Sequence, residues 1–199
     1  LILKEQKQIY SFLLRTKSNP LIKEFEEYVT SGKVFPDIQN FIVNAVGGPE
    51  IARKYDVDNF NFNFLFYDEE DEISLIRDLF VAINTFQPDF ALAWNMSFDV
   101  PYIMERIKKL GYLPEDIMCH PDFQDRVACY VVDEQNKNLP AERGDYCMLS
   151  SYTTFLDQMI HFASRRKNQT KLLSFSLDFV GENIAHVHKL DYKHITTNI

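Results

Sequence analysis

The residue best placed for metal-ion chemistry in this chain is Asp99, which lies where a predicted strand gives way to a predicted helix. Residues 90–94 form a short apolar run typical of a buried strand. Apolar residues then recur at near-helical spacing, at Tyr102, Ile103, Ile107 and Leu110. A carboxylate at the carboxyl end of an interior strand is well placed to bind a divalent cation. Asp99 followed by Pro101 is also a common helix start, so capping and metal binding both remain open at this point.

The residues around Asp99 carry a family resemblance. Residues 95–107 read Asn-Met-Ser-Phe-Asp-Val-Pro-Tyr-Ile-Met-Glu-Arg-Ile, which resembles the second exonuclease motif of family B DNA polymerases, the proofreading region of many phage and cellular replicases. The resemblance implies that Asp99 is a metal ligand and a catalytic residue. It also implies substrate contacts for Asn95, Phe98 and Tyr102. Two residues, rather than the three usual in these polymerases, separate Asn95 from Phe98, a spacing more similar to that of stand-alone proofreading exonucleases.

Further segments extend the resemblance along the chain. Residues 85–90, with Pro88-Asp89, match the segment that precedes the second motif. Residues 173–180 are similar to a helix start found downstream in the family, and residues 188–192 resemble its usual sequel. We expect a serine in 173–180 to cap that helix. Asp157 ends another predicted strand, but the family does not use the matching position as a metal ligand, so we expect it to support a neighbouring strand.

Excision of a 3′-terminal nucleotide needs more carboxylates than Asp99 supplies. Two Mg²⁺ or Mn²⁺ ions about 3.5–4 Å apart activate the nucleophile and stabilise the leaving oxygen, and both ions require oxygen ligands. The family provides the other ligands from an Asp-x-Glu motif and a Tyr-x-x-x-Asp motif, neither of which is clear here. The nearest substitutes for the first motif are Glu24 and Glu26. We therefore expect a fragment of a longer, phage-type polymerase that is inactive alone.

The periodicity predicts an α/β fold, and the resemblance implies that this fold is of the ribonuclease-H-like type. We expect an N-terminal helical segment of two antiparallel helices at residues 1–33, and a partial exonuclease-like domain at 34–199, within a single domain overall. The strands around 62–67, 90–94 and 153–156 should lie in one mixed sheet covered by helices. A β-hairpin insertion is expected within residues 112–150.

Composition limits the possible functions. The 199 residues include three cysteines without a C-x-x-C pair and carry a net charge of −8, which argues against a disulfide framework and against a broad basic face for duplex DNA. No apolar run approaches the length of a membrane span, so we expect a cytoplasmic protein without a membrane partner. The resemblance implies a single-stranded 3′ end or primer-template DNA, and the rest of the polymerase chain, as partners. A degenerate exonuclease-like module that binds nucleic acid or acts as a scaffold, and an unrelated α/β protein, remain alternatives.

Overall fold

The computed structural model describes residues 1–54, 56, 58–133, 139–166, 168–169 and 172–186. Its contacts divide the chain into two compact units, Leu1–Ala82 and Ile83–Ile199, and each unit is described by itself. Among the described residues, no helix combines the length and the apolar character needed to cross a membrane.

The first unit contains a three-stranded sheet and short helices. In chain order its elements are β1 (Ile2–Leu3), β2 (Gln8–Arg15), α1 (Leu21–Thr30), α2 (Val34–Ala45), α3 (Pro49–Lys54) and β3 (Asn61–Asp68), followed by a 3₁₀ turn at Glu69–Asp71 and by α4 (Glu72–Phe86), which continues into the second unit. The strand order is β1-β2-β3. β1 and β2 are antiparallel, whereas β2 and β3 are parallel over eight residue pairs.

Aromatic side chains join the helices of the first unit to its sheet. The ring centroid of Phe64 on β3 lies 5.2 Å from that of Phe25 on α1 and 6.2 Å from that of Phe35 on α2. The Phe25–Phe64 pair is edge-to-face, the arrangement that the charge distribution of aromatic rings favours. Packing of Phe25 and Phe35 against Phe64 therefore contributes to the position of both helices within this unit.

The second unit contains two strand–helix junctions and a hairpin. Its elements are β4 (Phe90–Ala93), α5 (Met96–Lys109), α6 (Pro114–Met118), β5 (Ala128–Val131), a 3₁₀ turn (Pro140–Glu142), β6 (Tyr146–Leu149), β7 (Thr154–Asp157), α7 (Gln158–Arg165), α8 (Leu177–Val180) and a π-helical turn (Gly181–Ala185). β4 and β7 pair in parallel, with Ala93 opposite Asp157. β5 and β6 pair antiparallel, which confirms the predicted hairpin.

The buried face of α5 anchors this helix in the second unit. Its buried side chains recur at helical spacing, at Met96, Val100, Met104 and Ile107. Ile107 is fully buried and Met96 is 2% exposed, while charged residues occupy the opposite face. Because apolar burial is the main favourable contribution to packing, this face fixes the rotation of α5 and hence the direction in which Asp99 points.

The N-terminal prediction of two antiparallel helices at residues 1–33 is wrong in its first half. Residues 8–15 form β2, and only α1 is helical in that segment. The apolar residues between Ile9 and Leu14 fit a helical stripe, but they also form a nearly continuous apolar run, which is equally compatible with a strand. Tertiary pairing with β1 and β3 decides between these two interpretations. The proposed division of the chain at residue 33 stays a prediction.

The prediction of one mixed sheet is also wrong. β3 pairs with β2, whereas β4 pairs with β7 in a separate sheet. The periodicity identified all three strands correctly, and the α/β class is confirmed, but periodicity carries no information about strand partners. In addition, β4 is not the buried strand expected, because Phe90 and Leu92 are each 58% exposed.

Candidate active site

Asp99 lies in the first turn of α5. The helix begins at Met96, and Asn95 occupies the N-cap position with φ −131° and ψ 70°. The backbone N–H of Asp99 donates to the carbonyl oxygen of Asn95 at 3.1 Å. Asp99 is thus inside the helix, and the N-cap alternative for it is wrong. Pro101 is likewise inside the helix, not at its first position.

A second carboxylate, that of Asp157, lies at the same edge of the β4–β7 pair. Asp157 is 9% exposed. Its Oδ2 accepts the backbone N–H of Met96 at 2.9 Å, and its Oδ1 accepts that of Ile160 at 3.0 Å. The carboxyl ends of parallel strands meet at one edge of a sheet, so the two aspartates approach each other from adjacent strand–helix junctions.

The electrostatics of this edge are those of closely placed anions. Partial burial and, to a smaller extent, the charge of Asp157 raise the pKa of Asp99 above its ordinary value. Burial, followed by the charges of Asp157 and Asp145, raises the pKa of Tyr130 as well. The Tyr130 hydroxyl is near enough to Ser97 to influence this pKa, yet it makes no hydrogen bond of ordinary geometry among the described residues. A cation bound here would relieve the repulsion between the carboxylates.

The predicted substrate-binding residues surround Asp99 on the exposed side of α5. Phe98 and Tyr102 are 63% and 61% exposed. Their rings are stacked, with centroids 6.0 Å apart and planes inclined by 14°. Asn95 is also exposed, and its Oδ1 accepts the Ser97 hydroxyl at 2.8 Å. A pair of solvent-exposed stacked rings beside a carboxylate is a surface on which unpaired bases can stack.

Glu24 and Glu26, the predicted substitute carboxylates, lie on α1 in the first unit. Glu26 is held by Arg15 through two contacts, at 2.7 Å from Nε and 2.5 Å from a terminal guanidinium nitrogen. The hydrogen bond from Arg15 lowers the pKa of Glu26. The other terminal nitrogen of Arg15 donates to Asp68 at 3.0 Å. This network gives Glu26 a structural partner, and the metal role of both glutamates stays a prediction.

The carboxylates suit a divalent metal ion only in part. Carboxylate oxygens are the ligands that Mg²⁺ and Mn²⁺ prefer, and Asp99 and Asp157 offer them. In the described part of the chain, however, no group of three or more His, Cys, Asp or Glu residues is arranged to hold a metal ion.

Cys119, His120 and Asp122 are three potential metal ligands close together in the sequence, for which we expected a surface turn rather than a metal site. The surface turn is only partly correct. Cys119 and His120 are buried, whereas Asp122 is exposed. His120 Nδ1 accepts the backbone N–H of Asp122 at 3.2 Å, and its Nε2 lies 3.3 Å from the Gln87 side-chain nitrogen. These contacts give His120 a packing role. The histidines at 188 and 194, and the sequel at 188–192, lie outside the described residues.

The downstream segment 173–180 contacts the end of β4. Ser176 is the N-cap of α8, and its hydroxyl accepts the Phe179 N–H at 3.3 Å, which confirms the predicted serine cap. The indole N–H of Trp94, the residue after β4, donates to the Phe175 carbonyl at 3.0 Å. The Trp94 ring also packs 5.7 Å from that of Phe162 on α7. Segments recognised separately in the sequence thus meet at the Asp99 junction.

Two features of the site have no clear signal in the sequence: the double hydrogen bond of Asp157 and the presence of Tyr130. The strand–Asp–helix pattern at 154–160 indicated that Asp157 has a structural role, and we expected it to support a neighbouring strand. The carboxylate instead accepts hydrogen bonds from the starts of two helices. Tyr130 comes from the hairpin, and its approach to Ser97 depends on tertiary packing that no local pattern contains.

The fold and the site define an α/β protein with a carboxylate-bearing strand–helix junction next to an exposed aromatic pair. Residues 65–123 match the family model described as DNA polymerase family B, exonuclease domain. This match confirms the resemblance to that exonuclease region over the segment that contains β4, α5 and Asp99. No curated protein matches the chain.

Proposed function

We propose that the chain is the 3′–5′ proofreading exonuclease region of a phage-type family B DNA polymerase that acts in the cytoplasm of a bacterial host. The observation that carries the proposal is the family match over residues 65–123, a range that includes Asp99. The exposed rings of Phe98 and Tyr102 support it, because they lie on the same helix turn as a group that would perform the chemistry.

The complete site requires two divalent cations, Mg²⁺ or Mn²⁺, and Asp99 would hold one of them. When bound, such ions supply a water-derived nucleophile at neutral pH and stabilise the departing 3′ oxygen. The residues of this chain bind and orient the substrate. A terminal base stacks on Phe98 and Tyr102, and Asn95 contacts the nucleotide beside them. The apolar face of α5 keeps the Asp99 carboxylate in a fixed direction.

The test is digestion of oligonucleotides by the full-length polymerase. A 5′-labelled single strand should shorten stepwise from its 3′ end in Mg²⁺ or Mn²⁺, and EDTA should stop the reaction. A primer with a mismatched 3′ end should lose its terminal nucleotide faster than a paired one, because an unpaired end enters the site at lower cost. Digestion from the 5′ end, or digestion unaffected by EDTA, would contradict the proposal.

A second candidate function is a degenerate exonuclease-like module that binds nucleic acid or serves as a scaffold. The observation that favours it is that, among the described residues, no group of three or more His, Cys, Asp or Glu residues is arranged to hold a metal ion. The same digestion assay separates the two candidates. A full-length protein that binds the labelled strand in Mg²⁺ without shortening it supports the module and contradicts the nuclease.

A further inference from the structure

The strongest unassigned feature of the molecule is the buried carboxylate of Asp157, which binds two helix starts at once. We propose that Asp157 is a positioning residue for Asp99. It sets the start of α5, and thereby the place of the Asp99 carboxylate in the first turn of that helix. This inference rests on the proposed function, because it concerns the same site.

The N-cap residue of α5 makes no side-chain capping hydrogen bond. A helix start leaves backbone N–H groups without partners, and an N-cap side chain usually accepts one of them. The side chain of Asn95 does not do so. Its Oδ1 is bonded instead to the Ser97 hydroxyl. The Met96 N–H is bound by Asp157 Oδ2 from the neighbouring junction, at 2.9 Å.

The β4–α5 and β7–α7 junctions share the carboxylate of Asp157. Asp157 is the N-cap of α7, with Oδ1 on the Ile160 N–H at 3.0 Å. The backbone reinforces the connection, since the Met159 N–H donates to the Trp94 carbonyl at 3.0 Å. A buried anion is tolerated only with such charge-assisted hydrogen bonds, and two helix N-termini also favour its negative charge. The side chain is therefore fixed in one orientation.

The fixed orientation of the Asp157 side chain also affects the first turn of α5, which carries Asp99. The N–H groups of Phe98 and Asp99 both donate to the Asn95 carbonyl, at 3.0 and 3.1 Å. The first turn of α5 thus begins at the peptide that Asp157 holds. If the Met96 N–H is released, this turn loses its attachment to β7. The apolar face still sets the rotation of the helix, but the Asp99 carboxylate in the first turn is held less tightly. Small misplacements of a catalytic group cost large factors in rate.

The simpler alternative is that Asp157 has a structural role only, as the N-cap of α7. Two substitutions separate the alternatives. In Asp157→Asn the single carbonyl oxygen still accepts the Ile160 N–H, because Asn caps as well as Asp, but the amide nitrogen cannot accept the Met96 N–H. Asp157→Ser also keeps a cap for α7, and its shorter side chain does not extend to α5. Ser176→Ala is the matched control, since it removes the cap of α8 and leaves Asp157 intact.

The experiment is hydrogen exchange of the full-length protein, followed in peptides that cover residues 95–99 and 158–163. In Asp157→Asn and Asp157→Ser, exchange over 95–99 should rise about tenfold, as expected for the loss of one buried hydrogen bond. Exchange over 158–163 should stay within about threefold. Unchanged exchange over 95–99, or an equal rise in both peptides in both variants, would overturn the proposal whether or not the protein is a nuclease.

Nuclease kinetics give the second readout. Asp157→Asn should lower kcat for 3′ excision about tenfold or more while KM changes less than about threefold, because base stacking on α5 does not need the carboxylate of Asp99. Ser176→Ala should leave both constants within about twofold. A rise in KM with unchanged kcat would contradict a positioning role. If the wild-type protein excises nothing, the proposed function fails, and the exchange measurement still decides the role of Asp157.

Discussion

In the metal-free protein, Asp99 is subject to two opposing electrostatic effects on folding stability, and Asp99→Asn tests which of them is larger. An acidic residue in the first turn of a helix is favoured by the helix dipole, by about 0.3–1 kcal/mol at an exposed position. Partial burial and the charge of Asp157 oppose this, and together they raise the pKa of Asp99. A raised pKa means that the folded state holds the ionised carboxylate less well than the unfolded state does.

The sign of the pH dependence follows from this direction. The contribution of Asp99 to stability is fully present below its unfolded pKa, about 3.9, and is lost as the pH rises through the higher folded value. At pH 7 the ionised Asp99 is therefore a cost that Asn removes. Because Asp99 is largely exposed, solvent screening limits the gain to between zero and about 1 kcal/mol, or at most about 4 °C in melting temperature for a chain of this size.

Thermal melting in EDTA at pH 7 and pH 3 measures this effect. We expect Asp99→Asn to melt at or above the wild-type temperature at pH 7 and to coincide with the wild type at pH 3. Added Mg²⁺ should then raise the melting temperature of the wild type only. Glu105→Gln on the same helix is the control of opposite sign, since Lys108 donates to Glu105 at 2.8 Å and lowers its pKa. A clear loss of stability for Asp99→Asn at pH 7 would refute the reasoning.

Three further outcomes follow from the structure. Glu26→Gln should weaken its ion pair with Arg15 and lower the melting temperature, most clearly at low salt. If Glu26 is also a metal ligand, as the sequence predicts, the same variant should lose 3′ excision; excision at the wild-type rate would contradict that ligand role. Phe98→Leu should weaken binding of a single-stranded 3′ end about tenfold in a fluorescence titration, because base stacking contributes about 1–3 kcal/mol per base, whereas Phe90→Leu should not. The 199-residue chain expressed alone should show little digestion of single-stranded DNA in Mg²⁺ or Mn²⁺, and rapid digestion that Asp99→Ala abolishes would show that the chain holds a complete site.

Local patterns predicted the elements around Asp99 because those patterns have a direct physical cause. The apolar spacing after Pro101 reflects the buried face of α5, and the segment 173–180 contains the Ser176 cap that begins α8. The alternating run before Tyr67 likewise became β3. In each case the signal lies within a few residues of the feature it predicts.

Local sequence patterns could not predict which strands pair or which distant residues form hydrogen bonds with each other. The apolar run from Ile9 fits helix and strand equally, and its parallel pairing with β3 decides the outcome. The hydrogen bond from Met96 to Asp157 joins residues far apart in the chain, so no local spacing could reveal it. Asp99 was placed correctly at a strand–helix junction, but its exact position inside the helix depends on where that distant carboxylate holds the first turn.

The most direct test of the proofreading assignment is to separate excision from synthesis in the full-length polymerase with Asp99→Asn. The assays are removal of a mismatched 3′ nucleotide without deoxynucleotides, and extension of a paired primer with them. We expect excision to fall about a hundredfold or more, because the substitution removes a charge that the metal needs, while extension stays within about twofold of the wild type. Excision at the wild-type rate would contradict the assignment of Asp99, and with it the proposed site.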